Sequence, residues 1–241
     1  GVLACCHSLP PLEHCPENLI ITLVDRAAYD LGATTSSTVT IPRNDTVVTN
    51  TDDGGDGSLR QAVDNAVTFG SGTVTFSSVS APISLASPIG IIGSITIDGA
   101  NTVTVSASGF RAFTITGGTV ILKGFTIQGG GVDVMGGNVT IGNDPLYIIG
   151  NSAALGGGIY TAGTSVTVQT GASVSDNLAG GGIYQQAGEL NIIDSFIQQN
   201  TGGAIRFAAS GVRSVTGTCI VLNSDTAVVY TGGSGVNATN N

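Results

Sequence analysis

Tyr160, Tyr184 and Arg206 each follow an aliphatic residue (Ile159, Ile183, Ile205) and stand 24 and 22 residues apart. Brought onto one exterior face, with Glu189 close by, they could hold a sugar by aromatic stacking and a two-pronged guanidinium contact. The same residue types can serve eliminative cleavage of a uronate polymer. There a cation neutralises the carboxylate, and Tyr, Arg, Lys or His removes a proton. Tyr184 or Arg206 would have to do this work, since residues 16–241 contain no histidine and a single lysine, Lys123. Hydrolysis by paired carboxylates is less well served, because Asp176, Asp194 and Asp225 are scattered near expected turns. Nucleophilic catalysis lacks its histidine, and no GxGxxG or Walker loop occurs.

Metal chemistry is sparse. Asp52-x-Gly54-x-Asp56-Gly57 partly mimics a calcium loop, whose ligands alternate and whose sixth residue is glycine. Gly54 stands at the third position and Val63 at the twelfth, so two oxygens are missing, and a polar turn is the expected structure. Cys5, Cys6, His7, His14 and Cys15 are crowded together. Adjacent cysteines reach one tetrahedral ion poorly, and no CxxC pair is present. With Cys219 far from the other three, no disulfide framework is expected. The sequence implies no cofactor, and calcium is the one cation it leaves open.

The elements that must position these side chains announce themselves as a repeat. Asn151, Asn177, Asn200 and Asn223 are separated by 26, 23 and 23 residues. Each is followed by a small or glycine-rich stretch and then an aliphatic residue: Ile159, Ile183, Ile205 and Val228. Another aliphatic residue stands three positions before each Asn: Ile148, Val174, Ile197 and Ile220. A unit of this size matches one turn of a β-solenoid. Apolar and polar residues alternate within each unit, the period of a half-buried strand.

The expectation is an all-β, right-handed parallel β-helix with like residues stacked coil on coil. Neighbouring coils would lie about 4.8 Å apart. Residues 73–241 allow roughly seven coils. Each Asn is expected to take the left-handed conformation at a turn and to bond the next coil through its amide.

Residues 46–72 read as a cap. Ser58 suits a helix N-cap, and Leu59, Ala62, Val63 and Ala66 form one apolar stripe. A short helix here would cover the open strand edge of the first coil. In residues 1–45, Asn18–Val24 and Ser37–Ile41 look like two strands, which need pairing with the solenoid or another chain.

Composition agrees with this design. The 37 glycines and the β-branched apolar content suit short strands joined by tight turns, and a mean hydropathy of +0.35 argues against disorder. Seven basic and sixteen acidic residues give a net charge of −9. Such a surface repels phosphate backbones and anionic lipid, so neither nucleic acid nor membrane insertion is expected. No apolar run is long enough to span a bilayer. The N-terminal residues lack the pattern of a signal peptide, so any export signal would lie outside this sequence.

Two resemblances follow from particular phrases. Val48-Thr-Asn-Thr-Asp-Asp-Gly-Gly-Asp-Gly-Ser-Leu-Arg-Gln-Ala-Val63 resembles the opening of bacterial right-handed β-helix surface proteins, including the CSLREA-type group. The phrases Gly-Gly-Gly-Ile-Tyr at 180–184 and Ser-x-Ile-x-x-Asn at 195–200 resemble theirs too. Gly235–Asn241 looks like the start of a further coil. The resemblance implies the pectate-lyase-like superfold and says little of function. Glu17–Asp25, Tyr29-Asp30 and Val39–Asp45 look like the last strands of a Calx-β domain. Such a remnant would keep only Asp25, Asp30 and Asp45 of a calcium site. Together the resemblances imply an interior piece of a large extracellular protein.

The reading that best joins these observations is a secreted or cell-surface solenoid with a structural or adhesive role, meeting a glycan or protein on a strand face. A polysaccharide lyase is the catalytic alternative. A filament or matrix subunit assembling through the N-terminal strands is the second.

Overall fold

Short runs of Val, Ile and Thr alternating with polar residues form strands with one buried and one exposed face, and glycine-rich corners turn each strand into the next. A computed structural model describes residues 17–22, 36–41, 45–70, 72–208, 212–225, 228–230 and 237–239. The chain divides into two compact units, Gly1–Asp45 and Thr46–Asn241. In the first, Glu17–Thr22 and Ser36–Ile41 pair antiparallel with each other, Leu19 opposite Val39.

The second unit is a parallel β-solenoid of about six turns, with one short helix among its described residues. Each turn contributes one strand to each of three faces. Face A is a seven-stranded sheet of Ile89–Ile91, Phe113–Ile115, Val132–Val134, Ile159–Thr161, Ile183–Gln185, Ile205–Phe207 and Val228–Tyr230. The strands Ile95–Ser106 and Thr119–Gln128 bend through a corner and serve both other faces. Face B continues with Asn138–Ile141, Ser165–Val168, Glu189–Ile193, Arg213–Thr216 and Asn237–Thr239. Face C continues with Leu146–Ile149, Ala172–Ser175, Phe196–Gln198 and Cys219–Val221.

Interior positions align in register. Ile89, Phe113, Val132, Ile159, Ile183 and Ile205 pair successively on face A, and each is at most 1 % exposed. Val228 extends that series and is half-buried. On face C, Ile148, Val174, Ile197 and Ile220 pair as the repeat requires. Burying each such side chain contributes about 1.5–3 kcal/mol.

The four asparagines form a continuous amide ladder behind face C. Asn151, Asn177 and Asn200 are fully buried. Their Nδ2 groups donate to Oδ1 of the next Asn at 2.9, 2.6 and 2.8 Å. The same groups also donate to the carbonyls of Ile127, Ile148 and Val174. The backbone differs from expectation in one respect. The left-handed residue is the one before each Asn: Gly150, Asp176, Gln199 and Leu222 have φ of +62°, +55°, +55° and +56°. That residue makes the bend, which sends the following carboxamide into the interior, where only a partner that both donates and accepts can satisfy it.

The cap follows from its sequence. The helix α1, Leu59–Thr68, starts at Ser58, whose Oγ accepts from the Gln61 amide. Leu59, Ala62, Val63 and Ala66 are buried against the first coil. Ahead of the helix, Val47–Val48 pairs with Thr75–Phe76, so the cap segment also supplies a strand. Arg60 fastens the helix to the next loop. It pairs with Asp53 at 2.7 Å and donates to the carbonyls of Ser87 and Pro88.

Candidate functional site

Strand alternation places Asp133, Tyr160, Tyr184 and Arg206 at the outward position of four consecutive rungs of face A. Rungs of paired strands lie about 4.8 Å apart, close to ring-stacking distance, so like positions must pack on one another along the axis. They do. The Tyr160 and Tyr184 rings stack with centroids 5.7 Å apart and an interplanar angle of 4°. The Arg206 guanidinium lies 5.5 Å from the Tyr184 ring centre on the next rung. Tyr184 is therefore flanked by its neighbours and only 7 % exposed, while Arg206 is exposed.

Asp133 opens the series and is accompanied by Arg111. Arg111 donates to the carbonyls of Leu155, Gly156 and Gly157, pinning the loop before Ile159. Oδ1 of Asp133 is buried without a hydrogen-bond partner. Burial raises the Asp133 carboxyl above the ordinary carboxylate range, and the nearby Arg111 charge only partly opposes this. Burial also raises the Tyr160 phenol, with Asp133 and Tyr184 adding to the effect.

The repeat places the two tyrosines and Arg206 in one column, as they stand here, and leaves Asp133 and Arg111 unmarked. The signal for Asp133 was available. Gly131-Val132-Asp133 has the Gly-aliphatic-X form of Gly158-Ile159-Tyr160 and Gly182-Ile183-Tyr184. Glu189 stands apart: it begins a face B strand, is exposed, and makes no hydrogen bond or ion pair with Tyr160, Tyr184 or Arg206.

Beneath the same surface lies a polar patch inside the solenoid. Gln185 is 1 % exposed and occupies the inward column that holds Ile91, Ile115 and Val134 in earlier coils. Its Oε1 accepts from Nε of Arg213, which is 3 % exposed and stacks 4.8 Å over the Phe207 ring. A buried guanidinium needs such partners to repay its desolvation. Arg213 aligns with Leu190 in an otherwise aliphatic column, and nothing in the repeat marks that exchange.

The remaining candidates sit elsewhere. Lys123 bridges Asp98 at 2.9 Å and Asp144 at 3.0 Å, stitching successive coils. Asp176, Asp194 and Asp225 have φ of +55°, +46° and +66°, so they are turn residues at separate corners. Around Asp52 and Asp56, Asn50 accepts from the Asp52 amide and donates to the Asp56 carbonyl, which builds a turn. Among the described residues, no three His, Cys, Asp or Glu side chains gather as a metal site. Cys5, Cys6, His7, His14, Cys15, Asp25 and Asp30 lie outside the described residues. Cys219 is a free thiol on the surface. No helix among the described residues is long and apolar enough to cross a membrane.

The chain matches no protein-family model, no curated protein and no solved structure. Face A carries the candidate chemistry. It offers one exposed guanidinium, the edges of two phenol rings and a carboxyl shielded by its neighbours.

Proposed function

We propose that this chain is a non-catalytic solenoid of the bacterial cell surface or secreted milieu, which stiffens a larger protein and presents face A to a glycan. The carrying observation is the packing of Tyr184 between Tyr160 and Arg206, with 7 % of its surface exposed. A lyase base must reach a substrate carbon and give its proton away again, which this phenol is poorly placed to do. A rigid strip that meets ligand through its edges and its guanidinium suits recognition better. The likeness of Val48–Val63 to β-helix surface proteins supports the extracellular setting, as does the Calx-β-like pattern before it.

Two assays on the purified chain test this reading. A glycan array should show retention that Tyr160→Ala and Arg206→Ala weaken. Incubation with acidic polysaccharides, with and without calcium, should leave ultraviolet absorbance flat. New unsaturated ends that vanish in Tyr184→Phe or Arg206→Ala would replace the proposal with a lyase.

A further inference from the structure

We infer that Arg206 is the anchor for an isolated carboxylate on the glycan that meets face A, an inference that rests on the glycan-binding reading above. The chain has seven basic side chains, and five fall among the described residues: Arg60, Arg111, Lys123, Arg206 and Arg213. Four of them are committed within the fold. Arg60 is held by Asp53 and two carbonyls, and Lys123 by Asp98 and Asp144. Arg111 serves three loop carbonyls, and Arg213 is buried against Gln185 and Phe207. Arg206 is exposed, and among the described residues its side chain meets the Tyr184 ring.

That contact suits an anchor. A cation–π contact engages the guanidinium charge without consuming its N–H donors, which remain available to a ligand. The ring beneath is itself stacked on Tyr160. An exposed arginine ordinarily loses much of an ion pair's energy to ordering its own side chain. The Tyr184 contact offsets part of that cost. The fork matches a planar carboxylate that accepts two parallel hydrogen bonds.

Charge narrows the ligand further. A net charge of −9 repels a dense polyanion. Asp133 occupies the same outward column three rungs away. At the spacing of paired strands this is about 14 Å. Where ionised, it repels a second acidic group laid along the axis. The fitting ligand is an otherwise neutral saccharide with a single uronate, its carboxylate at the Arg206 end.

Calorimetric titration of the whole chain tests this with two probes: a trisaccharide ending in one hexuronate, and the same sugar with that carboxylate reduced to the alcohol. The acidic sugar should bind about tenfold more tightly, the size expected of one charge-assisted contact. Arg206→Gln should erase the preference, Arg206→Lys should retain only part of it, and added salt should shrink it. Equal binding of the two sugars, or a preference that survives Arg206→Gln, overturns the anchor. If the two bind equally and Tyr160→Ala removes both, face A still binds glycan and only the anchor fails. If neither binds, both readings fail.

Discussion

The carboxamides of Asn177 and Asn200, 23 residues apart in sequence, meet in the buried interior through an Nδ2–H···Oδ1 bond of 2.6 Å. Asn177 also donates to the Ile148 carbonyl, and its Oδ1 accepts from both the backbone amide and Nδ2 of Asn151. Removing this side chain strands several buried groups at once. Asn177→Ala should cost about 3–6 kcal/mol, with each orphaned group contributing 1–3 kcal/mol. Urea denaturation checks it, and a loss under 1 kcal/mol would show that the ladder is ornamental to stability.

The corner glycines divide by what surrounds them. Gly129 and Gly150 both have positive φ, +82° and +62°. A Cβ at Gly129 would overlap the Ala107 carbonyl oxygen, whereas one at Gly150 meets nothing within 4 Å. Gly129→Ala should fail to fold or lose several times more stability than Gly150→Ala, which should lose about 1 kcal/mol. Gly150→Asn should cost still less, because Asp176 and Gln199 already occupy the equivalent left-handed position. Thermal melts of the three variants rank them.

The backbone plan was legible in the sequence because each coil repeats one environment. The residues three before each Asn, and those at 159, 183, 205 and 228, therefore recur at a spacing that stacks them in columns. What escaped was set by contacts between coils. A lone Asn suggests a left-handed turn, and only the neighbouring amides reveal that its side chain is needed inside. The outward direction of Tyr184 followed from alternation, but its concealment depends on which residues occupy the rungs on either side. Arg111 acts on a loop 44 residues onward, which no local pattern connects to it.

Two carboxyls should give opposite pH signatures. Asp98 is held below the ordinary carboxylate range, chiefly by its hydrogen bond from Lys123 and against the effect of burial. Its contribution is present above the unfolded carboxylate pKa and is lost as pH falls through the lower folded value. Asp133 is raised, so its ionisation disfavours the folded state, and stability falls as pH climbs from the unfolded to the folded value. Asp98→Asn should weaken the protein at neutral pH and soften its acid transition. Asp133→Asn should strengthen it at neutral pH. Denaturation midpoints across pH 2–8 separate the two, and a shared sign would show that one environment has been misjudged.

The stack on face A predicts unequal mutants. Tyr184→Ala should destabilise the protein by about 2–4 kcal/mol, since it empties a packed position between two side chains. Arg206→Ala should cost under about 1 kcal/mol, the scale of an exposed cation–π contact. Calorimetric melting distinguishes them. Equal losses would mean that the guanidinium is structural and not held ready for a ligand.

A spin-label ruler along face B tests whether these properties share one framework of stacked coils. Thr96, Ile121, Thr140, Thr167, Asn191 and Ser214 occupy successive outward rungs. Labels are placed on Thr96 and, in turn, on Thr167, Asn191 or Ser214, with Cys5, Cys6, Cys15 and Cys219 replaced by serine. Electron–electron double resonance should give separations that grow by about 5 Å per rung, reaching about 24 Å between the backbones of Thr96 and Ser214. Separations that fail to increase by about one strand spacing from Thr167 to Asn191 to Ser214, or that are far longer than their rung number allows, would contradict the coil-on-coil stack.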